Sequence, residues 1–475
     1  MCICRNHQKD IIIKVNSLPP GKEYRTSGFP SLGQRRWKVW RLFVREEIMR
    51  QFLKYTTLSI LGTMGISCYI LADTFFIAQG LGTEGLAALN LAIPVYNFIY
   101  GTALMLGMGG AIKFAILKSQ GNQNQINTVY TNTIYLAVIF SAVFMLLGIF
   151  GSGTLARLLG AEGVVFEMTK TYLKWLLIFS PAFIINDIFL RFLRNDEAPQ
   201  LSMIAMLIGS FSNIILDYIF IFPMGMGILG AVLATGASPV IGIILMSKHW
   251  RAKKNSFHLV KEKINLGIVK QNLSLGFPSL IGQVAAGITM IVFNFLILEL
   301  EGNTGVAAYG VIANISIVII GVFNGIAEGV QPLVADSYGS GNRKEIKSLH
   351  KYSMVMMAMI AIVIYVIIYI FADPITSIFN SEQNEKMQEL AVIGLKLYFT
   401  SMLVAGYNIV ITVFFTSTER VLPAQVLTLL RGIVLIVPLS FLMAKIWGMN
   451  GIWMTFPATE LIVAVIGWML YRKKH

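Results

Sequence analysis

Apolar residues run through this chain in long unbroken blocks, not at the two-residue period of a half-buried strand or the 3.6-residue period of an amphipathic helix. About 20 consecutive apolar residues, wound as a helix, cross roughly 30 Å of hydrocarbon. Twelve such blocks follow one another, at about 56–80, 86–112, 128–151, 171–191, 200–222, 228–247, 276–300, 306–332, 353–372, 390–416, 424–443 and 449–471. The pattern predicts an all-α integral membrane protein of twelve transmembrane helices.

The pattern also repeats. Sliding the chain along itself until Gly85-Leu86-Ala87-Ala88 lies on Gly305-Val306-Ala307-Ala308 also brings Gly101, Gly109 and Gly121-Asn122 onto Gly321, Gly329 and Gly341-Asn342, without a gap. Farther along, a shift greater by one position lays Gly227 and Gly230 on Gly448 and Gly451. A duplication of six spans keeps both copies in the same orientation, so two six-helix lobes are expected, related by a pseudo-twofold axis along the membrane normal with a cavity between them. The domain reading is a basic tail over 1–48, a first lobe over 49–247, a linker over 248–270 and a second lobe over 271–475. Gly101, Gly107, Gly109 and Gly110 would let helices approach closely where lipid gives no hydrophobic drive for association.

Composition narrows the class. Residues are 56% hydrophobic and only 13% charged, where a soluble domain carries about 25% charged residues. The net charge of +14 gives no nucleic-acid patch, because the basic residues are distributed by loop. Of 38 Lys and Arg, 32 fall on the side of the termini and the even-numbered connections, counting Arg191 and Arg194 with connection 4–5 and Arg420 and Arg431 with connection 10–11. The positive-inside rule then puts both termini and the linker in the cytoplasm. The linker's charges suit a segment lying against anionic headgroups. Three cysteines, Cys2, Cys4 and Cys68, build neither a disulfide framework nor a four-ligand zinc site. The segment Met1–Ile48 reads as a disordered basic tail, with Met49 a candidate translation start. No phosphate-binding loop is present and the five histidines fall outside the spans, so an ion gradient is the expected energy source and no cofactor is expected.

Each charge inside a span costs about 2.5–3.5 kcal/mol and therefore needs a reason. Asp73, Asp187, Asp217 and Glu328 stand out. Asp73 in span 1 and Asp217 in span 5 lie at matching depth, roughly 10 Å below the outer surface at 1.5 Å per residue. Asn213 shares a helical face with Asp217, and Thr235 in span 6 reaches the same level. Two carboxylates, an amide and a hydroxyl suit a proton or a hard cation such as sodium; the same set would also serve as a hydrogen-bond network gluing spans 1, 5 and 6. Asp187, beside Arg191 and Arg194, and Glu328, ahead of Gln331-Pro332, lie near inner span ends. An interfacial position and a place in the cavity both remain open for them.

Ala72-Asp73-Thr74-Phe75-Phe76-Ile77 followed by Leu81-Gly82-Thr83-Glu84-Gly85-Leu86-Ala87-Ala88 resembles the first hairpin of the multidrug and toxic compound extrusion family. Phe192-Leu193-Arg194-Asn195-Asp196-Glu197-Ala198-Pro199 is similar to its arginine-acidic-proline loop. Asn213-Ile214-Ile215-Leu216-Asp217, Gly227-x-x-Gly230-Ala231 and Ala234-Thr235 resemble its spans 5 and 6, and Gly329-Val330-Gln331-Pro332-Leu333 with Tyr338-Gly339 its span 8 ending. The resemblance implies that Asp73, Asn213, Asp217 and Thr235 form the proton or sodium site of the first lobe, with Tyr69 one turn before Asp73. Asp187, Glu328 and Gln331, which the resemblance does not assign, are candidates for the substrate or coupling cavity from their place in the spans. It further implies an exporter of the bacterial multidrug subgroup, not an enzyme, that exchanges sodium or protons for amphipathic cationic small molecules. Membrane lipids and a drug-like substrate are the expected partners, nucleic acid is not, and a monomer is expected. One departure is Leu58, where many members carry a proline upstream of the aspartate; the repeat partner Pro278 is present, and Gly62 or Gly65 could supply a bend instead. A lipid-linked oligosaccharide flippase and a receptor or channel are the rival readings.

Overall fold

The computed structural model describes residues 30–380 and 383–472, with side chains from Glu46 onward. Met1–Ile48 forms a unit apart from Met49–His475. The expected disordered tail lies outside the described residues up to 29, whereas from Pro30 the backbone is helical.

The described residues form helices without strands: α1 (Pro30–Ser119), α2 (Gln123–Leu146), α3 (Ser152–Leu158), α4 (Gly163–Ile178), α5 (Ser180–Asn195), α6 (Pro199–Ile221), α7 (Gly227–Arg251), α8 (Leu266–Gly339), α9 (Arg343–Phe379), α10 (Glu385–Tyr398), α11 (Met402–Ser417), α12 (Val421–Leu429) and α13 (Ile436–Arg472). Among the described residues, nine stretches are long and apolar enough to cross a membrane, counting α4 and α5, bent by 47°, as one broken span. Three of the nine are double, because non-helical glycines divide α1 at Gly82, α8 at Gly302 and α13 at Gly448. Twelve spans result. Gly62 and Gly65 produce no such break in α1.

The duplication is written into the backbone. Gly82 has φ 64° and ψ −155°, and Gly302, its partner in the repeat, has φ 61° and ψ −153°. Only glycine adopts that region without strain, so these two tight turns, at the ends of the spans away from the linker, depend on it. Asn122 and Asn342 cap the next helices identically, each side-chain oxygen accepting from a backbone N–H one turn on at 3.3 Å.

The halves meet where spans 1 and 2 of the first pack on spans 8 and 7 of the second. A Cβ placed on Gly329 would stand 2.5 Å from Thr56 Cα, one on Gly325 2.6 Å from Ile60 Cα, and one on Gly276 1.8 Å from Met105 O. Small residues thus let backbones touch where no hydrophobic force draws helices together in lipid. Among the described residues, the approaches of this kind between halves lie in the part of each span nearer the linker, hereafter the linker face.

The linker is tied to the helices of the first half. It is shorter than expected, since α7 runs to Arg251 and α8 starts at Leu266, and it lies along α2. Val260 and Asn265 donate their N–H groups to Thr131 Oγ1 and Asn132 Oδ1 at 3.0 and 2.8 Å. Phe257 is fully buried against Phe114, Tyr130, Phe192 and Trp250. Asp196 completes the anchor, accepting from Lys118 at 3.1 Å and from both the backbone and hydroxyl of Ser256, with His249 Nε2 at 3.0 Å. An extended strand of chain needs partners for its backbone N–H groups, and α2 supplies them.

Candidate functional site

Span 1 is thin where span 5 crosses it. A Cβ on Gly62 would meet Met206, one on Gly65 would meet Leu207 and Ser210, and one on Gly80 would meet Ile221. The two helices therefore run parallel in a register that stays nearly constant along this seam. Asp73 and Asp217 fall in that same register and so face each other across it, with their carboxyl groups within hydrogen-bonding reach. Asp73 is 8% exposed and Asp217 fully buried, and Oδ1 of each has no hydrogen-bond partner. Two bare carboxylates offer only acceptors. They share such a contact only with a proton or a cation between them.

Asn213 and Thr235 close the site from the same side. With its amide oriented to suit both neighbours, Asn213 donates to Asp217 Oδ2 at 3.1 Å and accepts from the Thr235 backbone N–H at 3.3 Å. Its oxygen is engaged in this arrangement, which leaves the two carboxylates as the main open acceptors. Tyr172 of α4 is buried beside them, next to Thr235. Sequence reasoning did not single out Tyr172, because an aromatic residue in an apolar run carries no signal until the bend between α4 and α5 brings it across. Among the described residues, no lysine or arginine joins the group.

Tyr69 and Thr235 also line a cavity, whose other walls include Tyr96, Tyr100, Phe183 and Asn186. The Tyr69 and Tyr96 hydroxyls are 2.9 Å apart, and Tyr96 stacks on Tyr100 with centroids 5.9 Å apart. Aromatic faces attract organic cations by several tenths to about 2 kcal/mol each. Asp187 and Glu328 lie at its floor with Arg191 and Arg194, and Glu328 is the one lining residue from the second half, so this cavity lies mainly within the first lobe and not between the two lobes as the duplication led us to expect. Arg191 binds Asp187 at 2.8 and 3.2 Å and Glu328 at 3.0 Å, and Arg194 binds Glu328 at 2.9 Å. Gln331 is placed outside the cavity, paired with Asn195 through both amide ends at 3.1 and 3.3 Å.

A family model described as MatE matches residues 59–219 and 278–442, one match in each half. The chain belongs to the MatE family. It is 26% identical over 430 residues to the multidrug export protein MepA of Staphylococcus saprophyticus, covering 90% of this chain and 94% of that one. It is 25% identical over the same length to MepA of Staphylococcus aureus strain MRSA252. Among solved structures, an outward-facing multidrug resistance MATE family transporter of the MOP superfamily superposes with a TM-score of 0.84 at 22% identity, covering 89% of this chain and 95% of that one. A MOP superfamily transporter from Pyrococcus furiosus, described as having a binding pocket of reversed polarity, gives 0.84 at 23%, with 90% and 96% covered. This MatE protein is accordingly a multi-pass membrane transporter and not an enzyme.

The second half of this MatE chain holds a charge cluster that the sequence reading passed over. Glu460 in span 12 is fully buried and accepts from Arg431 Nε and Nη2 at 3.0 and 2.6 Å, and from Asn408 at 2.6 Å. Arg431 sits in a one-turn π-helical segment, Leu430–Val434. It lies inside span 11 and not among the loop charges of connection 10–11, because its partner Glu460 is buried there. A glutamate in the middle of an apolar block was the available signal.

Proposed function

We propose that this protein is a secondary active exporter that takes in sodium ions or protons and expels amphipathic, cationic small molecules across the cell membrane. The observation that carries the reading is the buried Asp73–Asp217 pair, free of any basic partner, adjoining a tyrosine-lined cavity. Such a pair binds a proton or sodium with Asp73 and Asp217 as the principal acceptors, while Asn213 and Thr235 fix the geometry. Occupancy biases the equilibrium between two orientations of the lobes, and the organic cation competes for that bias. One charge crossing 100 mV supplies about 2.3 kcal/mol, enough for a gradient of roughly 50-fold. The MepA relatives, named as multidrug exporters, support this substrate class.

Both termini and the linker face the cytoplasm in this reading, so the halves are closed on the cytoplasmic side. The flippase alternative calls for a basic cavity to hold a pyrophosphate, and here Arg191 and Arg194 are offset by Asp187 and Glu328. The test is transport of a fluorescent organic cation into inside-out vesicles with sodium and pH gradients imposed separately. Uptake driven by one of them is expected. Uptake indifferent to both would refute the coupling.

A further inference from the structure

Exposing one cavity alternately to two faces requires the halves to part on whichever side is shut. Here they are shut on the linker face, and one buried charge cluster crosses that seam. We propose that Arg191, Arg194 and Glu328, with Asp187 as a fixed anchor, form a latch between the halves whose rupture opens the cavity to the linker face. The proposal rests on the alternating-access reading above and goes beyond the coupling site, which lies within the first half alone.

The bonding is lopsided in a way that suits a latch. Asp187, one helical turn before Arg191 on α5, grips its guanidinium with both oxygens. That grip lies inside the first half and survives when the halves separate. Glu328 comes from α8 in the second half and takes one guanidinium on each oxygen. Among the described residues Arg194 binds no other anion: its second nitrogen faces Met206 Sδ at 3.7 Å, a weak acceptor. Parting the halves therefore strips Glu328 of both partners and Arg194 of its carboxylate, while leaving Arg191 paired. A buried charge without a partner is costly, so the separated state requires that water enter. Two arrangements result, one dry and joined, one wet and open.

Position supports the same conclusion. Both arginine side chains are 4% exposed and Glu328 16%, so the cluster seals the cavity floor and still touches its interior. Glu328 precedes Gly329, where span 8 meets the backbone of span 1 at Thr56. Any withdrawal of span 8 from span 1 at that point moves Glu328 with it. Lys113 and Glu419 form a second ion pair between the halves at 2.8 Å, but it is partly exposed and its rupture costs little.

The test uses the full chain in oriented vesicles, with Cys2, Cys4 and Cys68 replaced by serine and Asn186→Cys as a reporter on the cavity wall. Reaction with a membrane-impermeant maleimide is measured from each face, with no substrate present, so the result does not depend on transport. Glu328→Gln should raise reactivity from the linker face about tenfold or more and lower it from the far face. Arg194→Gln, which keeps the Arg191 bond, should shift it less in the same direction. Lys113→Gln should leave both rates unchanged. Unaltered rates in folded Glu328→Gln and Arg194→Gln proteins would overturn the proposal. So would an equal shift in Lys113→Gln, or failure of both latch variants to fold, which would make the cluster structural cement. A dead transport assay with intact latch behaviour would instead count against the exporter reading alone.

Discussion

The two halves share a backbone and differ in how they treat buried acid. In the first, Asp73 and Asp217 face each other with no base nearby, and each keeps a carboxylate oxygen without a partner. In the second, the repeat puts Phe293 and Pro438 at the corresponding positions, and the one fully buried acid among its described residues, Glu460, is neutralised by Arg431 and bonded to Asn408. Burial alone thus does not make a coupling site. An acid already paired with arginine gains nothing from a proton or sodium ion, whereas an acid pair cannot exist bare. In the proposed mechanism the ion-responsive element therefore belongs to one half of a duplicated molecule, and the other half serves as a counterweight against which the first can move.

The largest effect that tests this contrast is loss of the pair. Asp217→Asn and Asp73→Asn are nearly isosteric and leave the seam of spans 1 and 5 intact, yet neither can release a proton or neutralise a cation. Each should cut ion-driven efflux by about 100-fold, toward the upper end of coupling free energies between sites, with expression preserved. The double variant should be no worse than either single one, because the two carboxyls act as one unit. Vesicle transport checks this directly. Efflux at the parental rate in either variant would return the pair to the role of glue between spans.

A smaller effect is expected one contact farther out. Tyr172→Phe removes the buried hydroxyl beside Thr235 without opening a cavity, and a neutral hydrogen bond to the site is worth about 0.5–1.5 kcal/mol. The sodium or proton concentration for half-maximal transport should therefore move by roughly 2–10-fold, while maximal efflux stays near the parental value. Titration of transport against sodium and pH measures it. An unchanged midpoint would mean that Tyr172 only fills space.

Much of this was legible in the sequence, and for identifiable reasons. Span count and duplication follow from block length and from glycines that recur at a fixed shift, such as Gly121 and Gly341, which both prove to have positive φ. Asp73 and Asp217 share a depth, and depth can be counted along a straight helix. What could not be counted was the approach of helices from different halves. For Glu328 the sequence leaves an interfacial position and a place in the cavity both open, and what decides between them is its bridge from α8 to α5, a pairing set by glycine contacts far away in sequence. Arg431 was assigned to a loop because a basic residue near a span end suggests one; only its partner in span 12 shows that it is internal. The linker is marked in the sequence by its charge, yet the backbone hydrogen bonds that hold it to α2 leave no mark in composition.

The smallest effect on coupling should come from Glu460, although it is as fully buried as Asp217, and this separates the two halves most sharply. Glu460→Gln leaves Arg431 with an uncompensated charge inside span 11, and removing one partner of a buried pair costs about 3–5 kcal/mol of stability. Thermal unfolding of the purified protein should accordingly occur at lower temperature. Replacing both members, with Arg431→Met added to Glu460→Gln, removes the stranded charge and keeps an acceptor for Asn408; since apolar substitutes for buried pairs are often neutral, most of the loss should be recovered. Through all of this the sodium and pH dependence of efflux per folded molecule should stay within about twofold of the parental protein, a shift of only a few tenths of a kcal/mol. Stability and coupling would then move independently. If Glu460→Gln abolishes ion dependence in protein that is still folded, the second half contains a coupling site of its own, and the contrast between a free acid pair and a neutralised acid fails at its foundation.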